Sequence, residues 1–506
     1  MKNLKSHVLA TAVKILNNPS ALTLPFFAFV AWATWAARTH FFFWDTVQLG
    51  SQHAQFFYNS SFSTFLLPDD MDSGHPPTFG FYLAIVWKIM GKSLENSHLA
   101  MLPFLFGIVW QAWRLGEKLL GEGWAYVFML LLWVNPVVAS QCVLVSPDVA
   151  LLFFFLMALN CLFREQKTLL ALAILGLAAV SMRGMMVVAA LFFFHILKDR
   201  LVKRIKLVPS EAKFATHTEG GDFSPKALFF NIISVATPYF LGVSFAVGFF
   251  LYHFTHKGWI GYFAGSSWAE SFQLVDFKGF IKNIVLLIWR LFDFGHVFVF
   301  IFILFLSLKI KRKTLPFFAT TQKLWLLLCV LIVVLTPTLL AYQALLNHRY
   351  LLPIYVVACL LCVKLISDMK EWRQQMVFSI ILVLGLGSGN FWVYPQPIAT
   401  GWDSTLAHLP YYHLRNSMIQ YIDNQGINHS KIGTAFPNLR SFDLIDLKNT
   451  PPVQSFARLD LSKNRYVFYS NVMNELTADQ LNELRQTWSV EKILRGGQIE
   501  VILYKK

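Results

Sequence analysis

Charged residues are scarce in this sequence, and the scarcity argues against an ordinary soluble fold. Of 506 residues, 14% are Asp, Glu, Lys or Arg and 56% are hydrophobic, with a mean hydropathy of +0.51; soluble domains are about 25% charged. Cysteine is rare too. Cys142, Cys161, Cys329, Cys359 and Cys362 all fall in or beside apolar runs, and the polar C-terminal region has none, so no disulfide framework is implied. Cys359 and Cys362 form a C-x-x-C pair, but inside an apolar helix without a second pair or a nearby histidine this spacing reads as packing. The sequence also lacks a convincing internal repeat, and its C-terminal region lacks a nucleotide fingerprint or catalytic triad.

What it has instead is a succession of apolar runs long enough to cross a hydrocarbon layer of about 30 Å. Spans are predicted near residues 21–39, 98–118, 123–143, 148–163, 167–182, 184–197, 227–252, 295–310, 322–341, 350–367 and 374–392, about eleven in all. The first follows lysines and ends in small residues, as a signal sequence does, but it is long enough to span and reads as a retained helix. The formal net charge of +15 suggests either nucleic acid or membrane topology. Placement decides for topology: with a cytoplasmic N-terminus, the inner segments carry 22 Lys and Arg, and the outer loops before the C-terminal region carry nine. The odd number of spans then puts everything after Trp392 on the outer side.

Two outer segments are too long and mixed to be plain connections. In residues 39–97, Val47, Leu49, Phe56 and Phe57 recur at helical spacing within 44–62, which predicts a helix lying in the interface. Residues 77–90 are apolar but too short to span, so an interfacial or re-entrant helix is expected there. The second segment, 253–294, is rich in aromatics and glycine. In the C-terminal region, 410–423 reads as a helix and 465–470 as a strand. Thr477 with Gln480 makes a capping box for a helix to Trp488, and Gly496-Gly497 separates two alternating runs as a hairpin turn would. The expected fold is a polytopic α-helical membrane domain, 1–393, with interfacial helices in its first outer loop, followed by a small extracytoplasmic α/β domain, 394–506.

Four groups of polar residues gather on the predicted outer face. Asp45 follows an aromatic run directly after the first span; it reads either as a cap for a helix starting at Thr46 or as a general base that partial desolvation would strengthen. The turn Asp72-Ser73-Gly74-His75-Pro76-Pro77 fixes the direction of His75, because two prolines lock the backbone and Gly74 allows close approach. As a metal site this loop is weakly patterned, with His53, Asp69 and Asp72 as the residues that can approach it. Asp148, in Ser146-Pro147-Asp148, reads as a helix cap or as a second outer carboxylate. Arg183 and the run Asn347-His348-Arg349-Tyr350 place cations at outer helix ends, where they serve as snorkelling anchors or as phosphate ligands.

The order of these motifs resembles the GT-C glycosyltransferases, in the branch of the protein O-mannosyltransferases and lipid A aminoarabinose transferases. The resemblance covers roughly residues 20–395 and rests on Asp45 after the first span, a basic residue before Pro-Pro, Asn135-Pro136 followed by Ser-Pro-Asp-x-x-Leu, and the late His-Arg-Tyr-Leu-Leu-Pro. It implies that Asp45 matches the catalytic aspartate, Asp148 the second outer carboxylate and Arg349 a ligand of the donor phosphate. His75 stands where the aminoarabinose branch has lysine, and Thr46 replaces the acidic neighbour usual after the first aspartate. A divalent metal is therefore left open as a cofactor.

Together these readings predict an inverting glycosyltransferase of a bacterial inner membrane that moves a sugar from a polyprenyl-phosphate donor to a hydroxyl of a protein, lipid A or another glycan. Asp45 is assigned as the base, Asp148, His53 and Asp72 to sugar binding, and His75, Arg349, Arg183 and Tyr350 to the donor phosphate. No nucleic-acid partner is expected. The rival reading, a transporter or lipid flippase, predicts internal repeats and ionisable residues near the membrane midplane.

Overall fold

A computed structural model describes residues 23–43, 45–206, 233–266, 269–309, 315–343, 347–394, 402–435, 438–448, 455–472 and 476–506. Trp44, the N-terminal lysines, Lys213, Lys226 and the basic run 311–313 lie outside the described residues. Among the described residues, six helices are long and apolar enough to span a membrane: Leu94–Leu120, Pro147–Arg164, Ile233–Lys257, Ala319–Ala341, His348–Ser367 and Trp372–Phe391. Two bent pairs bring the number to as many as eight, and Leu24–Ala37, Thr78–Met90 and Lys167–Val180 are shorter apolar helices.

Burial separates the centre of the helical assembly from its rim. Leu352–Ser367 is buried on nearly every side from Leu352 to Ile366, between Leu315–Ala341, His296–Lys309 and Glu122–Val134. Other helices are apolar on the outside: Phe240, Val247 and Leu251 are exposed on one, and Val377, Ile380 and Leu384 on another. A continuous apolar rim of this kind suits lipid as its solvent.

Each bent pair has a local cause. Glu122–Val134 and Pro136–Cys142 meet at 68° because Pro136 has no N–H and drives Asn135 out of the helical region. The Asn135 side chain then caps the second piece, accepting from Val137 N–H at 3.0 Å and Val138 N–H at 3.4 Å. Phe277–Phe292 and His296–Lys309 meet at 88°, and the corner uses Gly295 at φ +80°, where a Cβ would lie 2.6 Å from the Gly385 carbonyl oxygen. The helix Phe277–Phe292 falls inside the segment that the sequence presents only as an aromatic-rich outer segment.

The segment 39–97, expected on the outer side, holds short helices where they were predicted: Val47–Gln52 in π form, His53–Asn59, and Thr78–Met90. After the last membrane helix, a five-stranded sheet forms from β1 (Ile432–Thr434), β2 (Ala457–Arg458), β3 (Tyr466–Ser470), β4 (Ser489–Gly496) and β5 (Ile499–Lys505), in the order β2-β1-β3-β5-β4. β1 runs parallel to β2 and β3, while β5 is antiparallel to β3 and β4. The capping box at Thr477 and Gln480 is fully formed, and Gly497 turns the β4–β5 hairpin at φ +58°. Alternation along β3 divides the sheet into two faces: Val467 and Tyr469 pack with Leu481 and Leu484, whereas Phe468 belongs to the main core with Tyr411 and Met418. That main core runs without a break from the membrane helices into the sheet, and Phe42 N–H donates to the Ile445 carbonyl at 2.9 Å. The sheet region is thereby fixed against the segment that carries Asp45.

Candidate active site

Arg349 lies at the centre of a buried charge cluster. It enters on the 3-10 turn His348–Leu351 at the head of the most buried helix and is itself 2% exposed. Its Nη2 donates to Asp45 Oδ2, its Nη1 donates to Asp148 Oδ2 at 3.3 Å, and its Nε lies 3.1 Å from Asp403 Oδ2 in an ion pair that is not aligned as a hydrogen bond. Arg183, at the start of Met182–Lys206, adds a second cation: its Nη1 donates to Asp148 Oδ1 at 2.5 Å and to the Arg349 carbonyl at 3.2 Å. Its guanidinium also lies 4.3 Å from the Tyr350 ring centroid. Three carboxylates thus surround two guanidiniums, leaving one formal negative charge in a region shielded from water.

Capping does not account for either of the first two carboxylates. Ser146 caps Pro147–Arg164 by accepting from Asp148 N–H at 3.2 Å, which leaves the Asp148 carboxylate to the arginines. Thr46 Oγ1 exchanges hydrogen bonds with Phe43 N and O at 2.8 and 2.6 Å, while Asp45 turns to Arg349 and keeps Oδ1 buried without a hydrogen-bond partner among the described residues. An unpartnered buried carboxylate oxygen is costly and points to a working role.

Asp45, His75, Arg183, Arg349 and Tyr350 line one cavity of about 370 Å³. The rest of its lining is largely apolar and includes Met186, Ile260, Leu335 and Leu339. A narrow crevice shares His75 and Arg183 with this cavity and reaches His53 and Asp148. Met182 N–H donates to His75 Nδ1 at 3.2 Å, so the neutral ring carries its proton on Nε2. Burial, and then the charge of Arg183, lower the His75 pKa to about 3, which keeps the ring neutral.

His53 and Asp72 are placed outside the main cavity. His53 Nε2 donates to the Met71 carbonyl at 3.1 Å, and burial lowers its pKa to about 4. Asp72 accepts from Gly74 N–H at 2.8 Å and pairs with His253 Nε2 at 3.0 Å, tying the loop to the helix Phe240–Lys257. Gly74 is required in that tie: at φ +72°, a Cβ there would lie 2.0 Å from the Gly261 carbonyl oxygen. Asp69 pairs with Lys257 at 2.6 Å. Among the described residues, no group of three or more His, Cys, Asp or Glu is placed to hold a metal ion.

Asp403 is the site residue that the sequence does not reveal. It lies on the turn Trp402–Ser404 after the last membrane helix, 54 residues from Arg349 in sequence, with no motif around it. The only pointer was topological, since that turn follows a span expected to end on the same face as Asp45.

Fold and site together define a multi-pass membrane protein with a charged, partly apolar cavity. Residues 74–210 match the family of dolichyl-phosphate-mannose-protein mannosyltransferases. The fold is similar to that of ArnT from Cupriavidus metallidurans bound to undecaprenyl phosphate, with a TM-score of 0.50 and 11% identity over 95% of this chain and 97% of that one. The apo state of the same ArnT aligns with a TM-score of 0.45 and 12% identity over 94% and 97%. No curated protein matches the sequence. The matching segment and the shared fold bear out the resemblance to the GT-C glycosyltransferases.

Proposed function

We propose that this protein is an inverting glycosyltransferase that transfers a sugar from a polyprenyl-phosphate donor to an acceptor hydroxyl at the outer face of the membrane. The observation that carries the reading is the cavity itself, which combines Asp45 and two arginines with a largely apolar lining. Polyprenyl phosphate has matching halves, an anionic head and a long apolar tail. The likeness to ArnT, which was solved with undecaprenyl phosphate, supports the same donor class. The excess of basic residues on the opposite loops supports an outer-face site, with residues 394–506 as an extracytoplasmic domain.

In this mechanism the acceptor oxygen forms a bond to the anomeric carbon from the face opposite the phosphate, and Asp45 takes the hydroxyl proton. The bond from the anomeric carbon to the phosphate oxygen breaks, and the lipid phosphate leaves with the electron pair. That leaving group is a weak base, so no general acid is required. Arg183 and Arg349 stabilise its charge, and the neutral His75 offers an Nε2–H donor. Asp148 holds both guanidiniums in register.

The test is release of free polyprenyl phosphate by the purified protein from a panel of lipid-phosphate sugars, with Asp45→Asn as control. Loss of a general base costs about 10²–10⁴-fold in rate, so release should fall by that factor while the variant remains folded. Folded wild-type protein that releases nothing from any donor would favour transport instead.

A further inference from the structure

Asp403 takes no part in the chemistry just described, yet it is 3% exposed and held firmly. Its carbonyl accepts from Ser140 Oγ at 2.6 Å and Gln141 Nε2 at 2.7 Å, and Asn347 Nδ2 donates to its Oδ2 at 3.5 Å. The carboxylates around Arg349 lie on two sides. Asp45 borders the cavity together with Arg349, whereas Asp148 and Asp403 do not. An anion entering the cavity therefore meets the guanidinium on its Asp45 side, and Asp403 holds it from behind.

We infer that Asp403 is a positioning residue: it keeps Arg349 in place while the guanidinium exchanges Asp45 for the donor phosphate, and this exchange frees Asp45 to accept a proton. The inference rests on the donor-site reading of the cavity. A carboxylate bound to a guanidinium is a poorer proton acceptor than a released one, so the base becomes active once the donor is seated. The C-terminal region, which carries Asp403, thereby takes part in readying a base that lies near the start of the chain.

Binding of undecaprenyl phosphate to the full-length protein in detergent tests this, with wild type, Asp45→Asn, Asp403→Ala and Asp403→Asn compared. Asp45→Asn removes the competitor and should tighten binding severalfold. Asp403→Ala should weaken it about tenfold, since one charged contact is worth roughly that factor. Asp403→Asn should shift it the same way by less, and it carries the test if the alanine variant does not fold. Removal of negative charge alone would tighten binding in every variant, so Asp403 variants that bind as well as or better than wild type overturn the inference. A wild-type protein that binds no lipid phosphate, or an Arg349→Ala variant that binds it normally, would instead overturn the donor-site reading.

Discussion

Replacing Arg415, which does not line the cavity, by methionine should loosen the C-terminal region and its hold on the segment before Asp45, and the structure sets the size of the effect. Arg415 is fully buried, donating to Asn438 Oδ1 at 2.8 Å and to the two Asp446 oxygens at 2.7 and 3.0 Å. Its guanidinium also lies 4.2 Å from the ring centroid of Phe41, four residues before Asp45. Methionine keeps much of the volume but leaves the Asp446 carboxylate buried and uncompensated, a loss of about 3–5 kcal/mol. The residues around Arg415 belong to the core shared with the membrane helices, and for a larger unit of roughly 150–250 residues each kcal/mol moves the midpoint by about 2–4 °C, so the transition should fall by on the order of 10 °C. Removing both charges, in Arg415→Met with Asp446→Leu, should recover most of that loss. Thermal unfolding in detergent, paired with limited proteolysis of the C-terminal region, reads both variants. A single variant within about 1 kcal/mol of wild type, or a double variant no more stable than the single one, would refute the reasoning.

Acidification should also destabilise the fold. Burial lowers the pKa of His40 and His75 to about 3 and of His53 and His408 to about 4, against an ordinary 6.5. The unfolded chain therefore binds more protons below pH 6.5, so stability is full above that value and falls as the pH drops towards 4; a melting temperature that stays flat or rises between pH 7 and pH 5 would contradict this. Arg183→Lys keeps the charge but loses the planar contact with Tyr350. Donor KM should rise severalfold with kcat much less affected, and an unchanged donor KM would remove Arg183 from the phosphate site.

What was legible in the sequence is what neighbouring residues determine. The Thr477–Gln480 capping box, the Gly496-Gly497 hairpin and the short helices within 44–62 and 77–90 each depend on side chains a few positions apart, and each formed as a local element. Asn135-Pro136 could be recognised as a motif, but its 68° bend follows only from combining the missing Pro136 N–H with the Asn135 cap. The helix Phe277–Phe292 escaped notice because its apolar residues lie along one face, with Lys278, Lys282 and Arg290 between them, so no unbroken apolar run marks it. For Asp148, local reasoning left a helix cap and a second carboxylate both open, and the structure gives the cap to Ser146 two residues earlier. The ambiguity was intrinsic, since both side chains are good caps and only the positions of Arg183 and Arg349 decide between them.

Asp403 marks where such reading stops. The contacts that give it meaning come from Ser140, Gln141, Asn347 and Arg349, across more than 260 residues of chain, and nothing in Trp402-Asp403-Ser404 distinguishes it from a surface turn. A buried ion pair gains little over apolar packing, so a third carboxylate against an arginine already held by two is hard to explain by stability alone. It is easier to explain if one of the three must let go during turnover. Asp45, with one oxygen unpartnered among the described residues and its carboxylate at the cavity wall, is the one placed to do so.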